Sequence, residues 1–286
     1  MAAPDADLTV VVMTLVGGGA PQRLRVVLES QGAKVIIPDA ADASDRERSV
    51  PMLRQRALEA AQTPYVAFLE DTAAPEPGWC QAIREALADP AVGAVAGPVS
   101  ISASLAPQPR ALGFTEYASF QANRFRELAG GPGPDDVRTL PGVAFAVRRA
   151  DLLPIVQALP NGLFEGEALP RLAQAGKAVR YVPEMKVTYA LPYAEGAALG
   201  TRFQHGRLYG GTRVAGVGVP RRLAYALVAG LLPAILTLRT LKKAPDALRG
   251  SPATLAWVLA MHCAWAFGEF TGYVTGGVGD SLKSWR

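Results

Sequence analysis

Tyr65-Val66-Ala67-Phe68-Leu69-Glu70-Asp71-Thr72-Ala73-Ala74-Pro75-Glu76-Pro77-Gly78-Trp79 decides how this chain is read. An apolar run of strand length, residues 65–69, passes directly into two adjacent carboxylates. A proline-rich turn follows, and then a helix that opens near Trp79. Burying a strand that ends in paired acids is costly unless a cation or a polar ligand meets them. Carboxylate oxygens at a strand terminus suit Mg²⁺ or Mn²⁺ carrying phosphates. An acidic surface turn closing an ordinary β-α unit has the same spacing, so the segment alone leaves both readings open.

Outward from this segment, apolar runs of strand length alternate with helical patterns. Residues 8–16, 34–37, 65–69 and 92–100 read as strands, and residues 22–30, 52–61 and 77–88 as helices. Such alternation predicts an α/β fold with a mostly parallel sheet flanked by helices and functional loops at the strand C-termini. Residues 101–141, with Pro107, Pro109 and the 130–136 Gly-Pro-Asp cluster, read as a long irregular excursion. Regular structure resumes at 142–150, with a helix at 166–175 and a strand at 179–182.

From about residue 220 the composition changes. Residues 223–238 are nearly continuously apolar, interrupted by Pro233 and flanked by Arg221, Arg222 and Arg239; residues 253–267 form a second apolar run. Neither cleanly reaches the ~20 residues that span a bilayer. A spanning hairpin would also translocate Arg239, Lys242, Lys243 and Arg249, against the positive-inside tendency. Helices lying in the membrane interface fit both the shortness and the basic flanks; packing as soluble core helices is the competing reading. Two domains are expected, an α/β domain over 1–215 and a helical membrane-associating region over 216–286.

The 286 residues suffice for a sizeable core, and the net charge of +4 is modest but uneven. Basic residues gather from Arg202 onward beside the apolar runs, which suits an anionic membrane surface better than nucleic acid. No helix-turn-helix, zinc-finger or aromatic-basic single-strand pattern is present in the sequence. Cys80 and Cys263 lie far apart and suggest no disulfide framework, in keeping with a reducing compartment. The first apolar run is of strand length behind an acidic N-terminus and does not read as a cleavable signal peptide. The expected location is the cytoplasmic face of the cell membrane, peripheral or monotopic.

The Glu70-Asp71 segment resembles the acidic Asp-X-Asp element of family 2 glycosyltransferases, in the form "FLEDxxxPxPGW". The likeness continues in family order. It runs through Leu140-Pro141-Gly142 with Ala146-Val147-Arg148-Arg149, Phe164-Glu165, and Arg171-Leu172 with Gly176. Tyr181-Val182-Pro183-Glu184, Gln204-His205-Gly206-Arg207-Leu208-Tyr209 and Gly268-Glu269 with Gly272-Tyr273 complete it. The resemblance implies a GT-A fold and inverting transfer of a sugar from a nucleotide-sugar to a hydroxyl acceptor. A lipid-linked glycan in cell-surface polysaccharide assembly is the acceptor it suggests. It implies that Glu70 and Asp71 hold the metal-bound diphosphate, with Mg²⁺ or Mn²⁺ as the ion. Thr72 stands at the third acidic position of the family pattern, a weaker and neutral ligand, which leaves Asp71 as the best single ligand.

By the same resemblance Glu165, six residues ahead of Arg171-Leu172, is the base that deprotonates the acceptor, with Glu167 as the alternative. Acids in a first helical turn also stabilise the helix dipole without any catalytic role. Asp39, after the second strand, is the candidate for the nucleotide's base or ribose, and Asp42 competes with it. Gly17-Gly18-Gly19 lies where the first strand would release the chain beneath the nucleotide. Arg207, in an element similar to the Gln-X-X-Arg-Trp of processive members with Tyr209 for tryptophan, would bind diphosphate bidentately. A basic face on anionic lipid is its rival role. His205 reads as a loop or partner-facing residue, His262 as core or interface, and Glu269 as structural beside an upstream arginine. The rival function is a non-catalytic relative that binds nucleotide-sugar or glycan as a scaffold subunit.

Overall fold

The computed structural model describes residues 7–15, 19–38, 49–124, 128–130, 133, 135–160, 162–190 and 197–277. Contacts divide the chain into two compact units, one of residues 1–102 with 119–191 and one of 103–118 with 192–286. The first is mixed α/β with a central sheet flanked by helices, and the second is helical, so the expected fold class is found.

In the first unit the strands of the central sheet are β1 (Leu8–Met13), β2 (Lys34–Ile36), β3 (Tyr65–Glu70), β5 (Val92–Ala96), β7 (Ala144–Arg148) and β8 (Ala178–Tyr181), in the order β2-β1-β3-β7-β5-β8. Strands β4 (Ala73–Pro75), β6 (Val99–Ile101) and β9 (Val187–Tyr189) form a separate three-stranded sheet, order β4-β9-β6. All six residues of β1 are buried, as a strand covered on both faces requires. The helices are α1 (Ala20–Ser30), α2 (Val50–Ala60), α3 (Trp79–Ala88), α5 (Arg149–Gln157) and α6 (Glu165–Gln174).

The β1–β2, β1–β3 and β5–β8 pairs are parallel, but β7 enters between β3 and β5 antiparallel to both. This register sets Phe145 opposite Phe68, and their rings stack at 5.0 Å. The expected single strand at 92–100 is two, because the chain leaves β5 at Gly97-Pro98 to join the small sheet as β6.

The second unit contains α4 (Pro107–Tyr117), α7 (Ala197–Arg213), α8 (Val219–Ala229), α9 (Leu232–Lys243), α10 (Pro245–Arg249) and α11 (Pro252–Thr275). The expected irregular excursion thus begins with a helix. Pro107 and Pro109 fall in its first turn, where backbone amides have no intrahelical partner and a missing N–H costs nothing. Gly206 and Gly210 of α7 face Gly268 and Gly272 of α11, and a β-carbon at any of the four would collide with the opposite backbone. By contacts α7 belongs with the helical unit, since it packs with α11.

Residues 253–267, read as a second apolar run, lie in α11, whose Val258, Met261 and Ala266 are buried. Glu269 is buried there too; it accepts from Trp265 Nε1 and Tyr273 Oη and lies 3.9 Å from Arg213 Nη1, the upstream arginine expected from sequence.

Both histidines belong to this unit. His205 is not a loop residue: it sits in α7, 3.7 Å from Glu116 of α4. Burial pushes its pKa down to about 4, with Glu116 opposing and Arg202 adding. His262 contacts Thr237 Oγ1 through Nδ1 at 3.0 Å, and burial, with a contribution from Arg202, pushes it to about 4 as well. Between pH 6.5 and 4 the unfolded chain binds these protons and the folded chain does not. Stability contributed by the two neutral rings is therefore complete above about pH 6.5 and is lost as the pH falls toward 4. The expected loss at pH 5 is about 2 kcal/mol per histidine. Denaturant unfolding at pH 7 and pH 5 checks it: the slope should flatten in the H205Q/H262Q variant, and equal slopes would refute it.

Candidate active site

The C-terminal end of β3 carries the acid pair into the interior. Asp71 and Thr72 are fully buried, and Glu70 is nearly so. Asp71 Oδ1 accepts from Leu15 N at 2.8 Å, and Asp71 N donates to Met13 O at 3.0 Å, so Asp71 ties the exit of β1 to the exit of β3. Thr72 Oγ1 lies 3.5 Å from Glu70 Oε2.

Arg54 of α2 organises the site. Its side chain is 2% exposed, and it reaches three oxygens: Glu70 Oε1 at 3.3 Å, Glu165 Oε2 at 3.0 Å and Gly142 O at 2.7 Å. Its guanidinium lies 5.5 Å from the centre of the Phe145 ring, on the stack made with Phe68. The helix puts it there because Arg54 lies on the buried face with Val50, Ala57 and Leu58, at helical spacing.

Glu165 is the first residue of α6, and Glu167 also lies in the first turn. Of the two, Glu165 is the one held by Arg54. Gly142 permits the approach: a β-carbon there would collide with Glu165 Oε1 and lie 3.7 Å from Arg54 Nη2. The clash falls on the end of a flexible side chain, so Gly142→Ala should displace the carboxylate at little cost to the fold. Misplacement of a reacting group by about an ångström lowers turnover roughly tenfold to a hundredfold. Turnover beside melting temperature checks this; an unchanged turnover would show that the carboxylate's position does not matter.

The structure thus gathers Glu70 and Glu165 around one guanidinium, with Asp71 adjacent in the chain. Asp39, Asp42, Gly17 and Gly18 lie outside the described residues, whereas Gly19 precedes α1, where its carbonyl accepts from Arg23 N. Arg207 is half-buried in α7 of the helical unit. Ala144 pairs with Leu69 in the sheet. Arg54 is the site residue missed in sequence; a lone arginine on an otherwise apolar helical face was its signal.

Among the described residues no group of three or more His, Cys, Asp or Glu side chains gathers that could hold a metal ion, so an all-protein cage is absent there. The donors at the end of β3 are hard carboxylate oxygens. They fit a Mg²⁺-type ion that takes one or two carboxylates and completes its shell with water and phosphate. Glu70 already meets Arg54, and Asp71, fully buried, accepts from Leu15 N.

No protein-family model matches the chain, and neither does any curated protein. Among solved structures it is similar to a mannosyltransferase, PcManGT from Pyrobaculum calidifontis, in complex with GDP-Man and Mn²⁺. That likeness has 16% identity and a TM-score of 0.45, over 96% of this chain and 87% of the other. A second similarity, to GalNAc-T7 with UDP, GalNAc and Mn²⁺, has 12% identity and a TM-score of 0.40, over 66% of this chain and 45% of that one. Likeness at this level carries no substrate or mechanism to this chain.

Proposed function

We propose that the chain is a GT-A-type glycosyltransferase of the family 2 kind, moving a sugar from a nucleotide-sugar to a hydroxyl acceptor with inversion. The observation that carries the reading is the Glu70–Arg54–Glu165 cluster. A strand-end acid of the donor-binding type and a helix-start carboxylate of the base type, far apart in sequence, meet on one buried cation.

Glu165 takes the proton from the acceptor hydroxyl as its oxygen attacks the anomeric carbon. The bond from that carbon to the diphosphate breaks, and the nucleoside diphosphate leaves with the bonding electrons. A single displacement with one base inverts the configuration. Arg54 fixes Glu165 and Glu70 in one geometry, and Asp71 holds the β1 and β3 exits in register. Glu70 and Asp71 would hold Mg²⁺ or Mn²⁺, which supplies charge neutralisation for the leaving diphosphate. Asp39 and Arg207 belong to the proposal as donor-binding residues on sequence grounds. The proposed acceptor is a lipid-linked glycan at the cytoplasmic face of the cell membrane, a choice supported by the apolar and basic C-terminal sequence.

One observation favours the second reading, a non-catalytic nucleotide-sugar- or glycan-binding scaffold subunit. Glu70 and Glu165 already share the guanidinium of Arg54, and Asp71 is fully buried. Thermal-shift titration with a panel of nucleotide-sugars, with and without Mn²⁺, tests for a donor site common to both readings. Stabilisation by one nucleotide class supports such a site, and no shift with any donor would contradict the enzymatic reading and the nucleotide-sugar-binding form of the second.

A further inference from the structure

We propose that the outer face of α8 and α9 docks in the plane of an anionic lipid bilayer, with the two helices lying on the surface rather than crossing it. The inference stands on the helical unit alone and is independent of sugar transfer.

The inner faces of both helices are accounted for. Ala226 and Ala229 pack with Val214 and Tyr273, and Tyr225 and Leu232 close the cluster. Arg222 donates to Tyr273 O and to Val274 O, which ties α8 to the end of α11 and removes Arg222 from the docking set. From α9, Thr237 meets His262 and Thr240 is buried.

The outer face has no such partners among the described residues. Val219, Leu223 and Leu227 repeat every four residues along α8, and Leu231, Ile235 and Leu238 carry the series on through α9. Leu227 is 81% exposed and Leu231 63%. Such a stripe of large aliphatic side chains in water is unfavourable unless something covers it.

Charge and length decide what the cover is. Arg221, Arg239 and Lys242 are exposed on the same two helices, Arg221 donating to Tyr225 Oη at 3.2 Å, and neither α8 nor α9 contains an acidic residue. An apolar stripe on helices whose charges are all basic complements anionic headgroups above acyl chains. Helices of 11 and 12 residues are about 17 and 18 Å long, against a hydrocarbon core of about 30 Å. Taken together the two are long and apolar enough to cross, but they are bent by 54° to one another, and no single described helix is long and apolar enough by itself. Carbonate extraction separates the two arrangements. A bent pair with its apolar stripe to one side suits an interface.

Co-flotation of the full-length protein with phosphatidylcholine vesicles, and with vesicles containing phosphatidylglycerol as well, tests this. The wild-type chain should float with the anionic vesicles at low salt, more weakly as salt rises, and poorly with phosphatidylcholine alone. Leu227→Ser with Leu231→Ser, both exposed and so harmless to the core, should weaken partition about a hundredfold with an unchanged circular dichroism spectrum. Arg221→Gln with Arg239→Gln should weaken it roughly thirtyfold at low salt and less at high salt. The proposal is overturned by absence of flotation, or by wild-type binding in the L227S/L231S variant. It is also overturned by resistance of the membrane-bound protein to alkaline carbonate extraction. A dimer that this variant dissociates, with no vesicle binding, would assign the face to a second copy instead. A chain that floats but turns over no donor keeps this inference and loses the enzymatic one.

Discussion

Glu165→Gln is expected to leave donor binding intact and to lower turnover about a hundredfold or more, the usual loss when a general base is removed. The substitution is nearly isosteric. Glutamine still presents an oxygen to Arg54, so the cluster keeps its shape while the group at the start of α6 can no longer take a proton. Donor affinity by calorimetry should match the wild type while steady-state kcat falls. Near-normal kcat would move the base to Glu167 or elsewhere. A parallel loss of donor affinity would make Glu165 a binding residue instead.

Arg54→Met has the larger structural consequence. It removes the cation that bridges two poorly exposed carboxylates, Glu70 and Glu165. Breaking a buried ion pair by removing one partner costs about 3–5 kcal/mol, because the remaining charge has lost its counter-charge. Replacing all partners with neutral groups of similar shape avoids that penalty. The triple variant R54M/E70Q/E165Q should therefore recover much of the stability that R54M loses, while remaining inactive. Urea unfolding of the two variants separates the effects. If R54M is as stable as the wild type, the cluster is not held by charge.

The elements visible in the sequence are those with strong local signals. A continuous apolar run ending in Glu70-Asp71 has few ways to fold other than as a central strand with its acids at the exit. Helix α6 was legible from its local pattern, whereas the glutamate at its start was singled out only through the resemblance that sets it six residues ahead of Arg171-Leu172. The three-stranded sheet was not legible, because β4, β6 and β9 have three residues each, too short for any alternation to show. Helix α4 was hidden by its own prolines, which read as breakers until their place in the first turn is known. Arg54 was passed over because an arginine in a helical pattern usually faces water, and only the distant acids explain its burial. The role of α11 as a core helix depended on the glycines of α7, nearly sixty residues upstream, whose close approach no local pattern reveals.

Release of nucleoside diphosphate from a panel of nucleotide-sugars, with and without Mn²⁺, tests the central claim most directly. Slow hydrolysis is the acceptor-free form of the same displacement, with water in place of the hydroxyl. One class of donor should be turned over by the wild-type chain, and Glu165→Gln should reduce that release about a hundredfold. A folded protein that releases no diphosphate from any donor in either condition, or whose release is unaffected by Glu165→Gln, would contradict it.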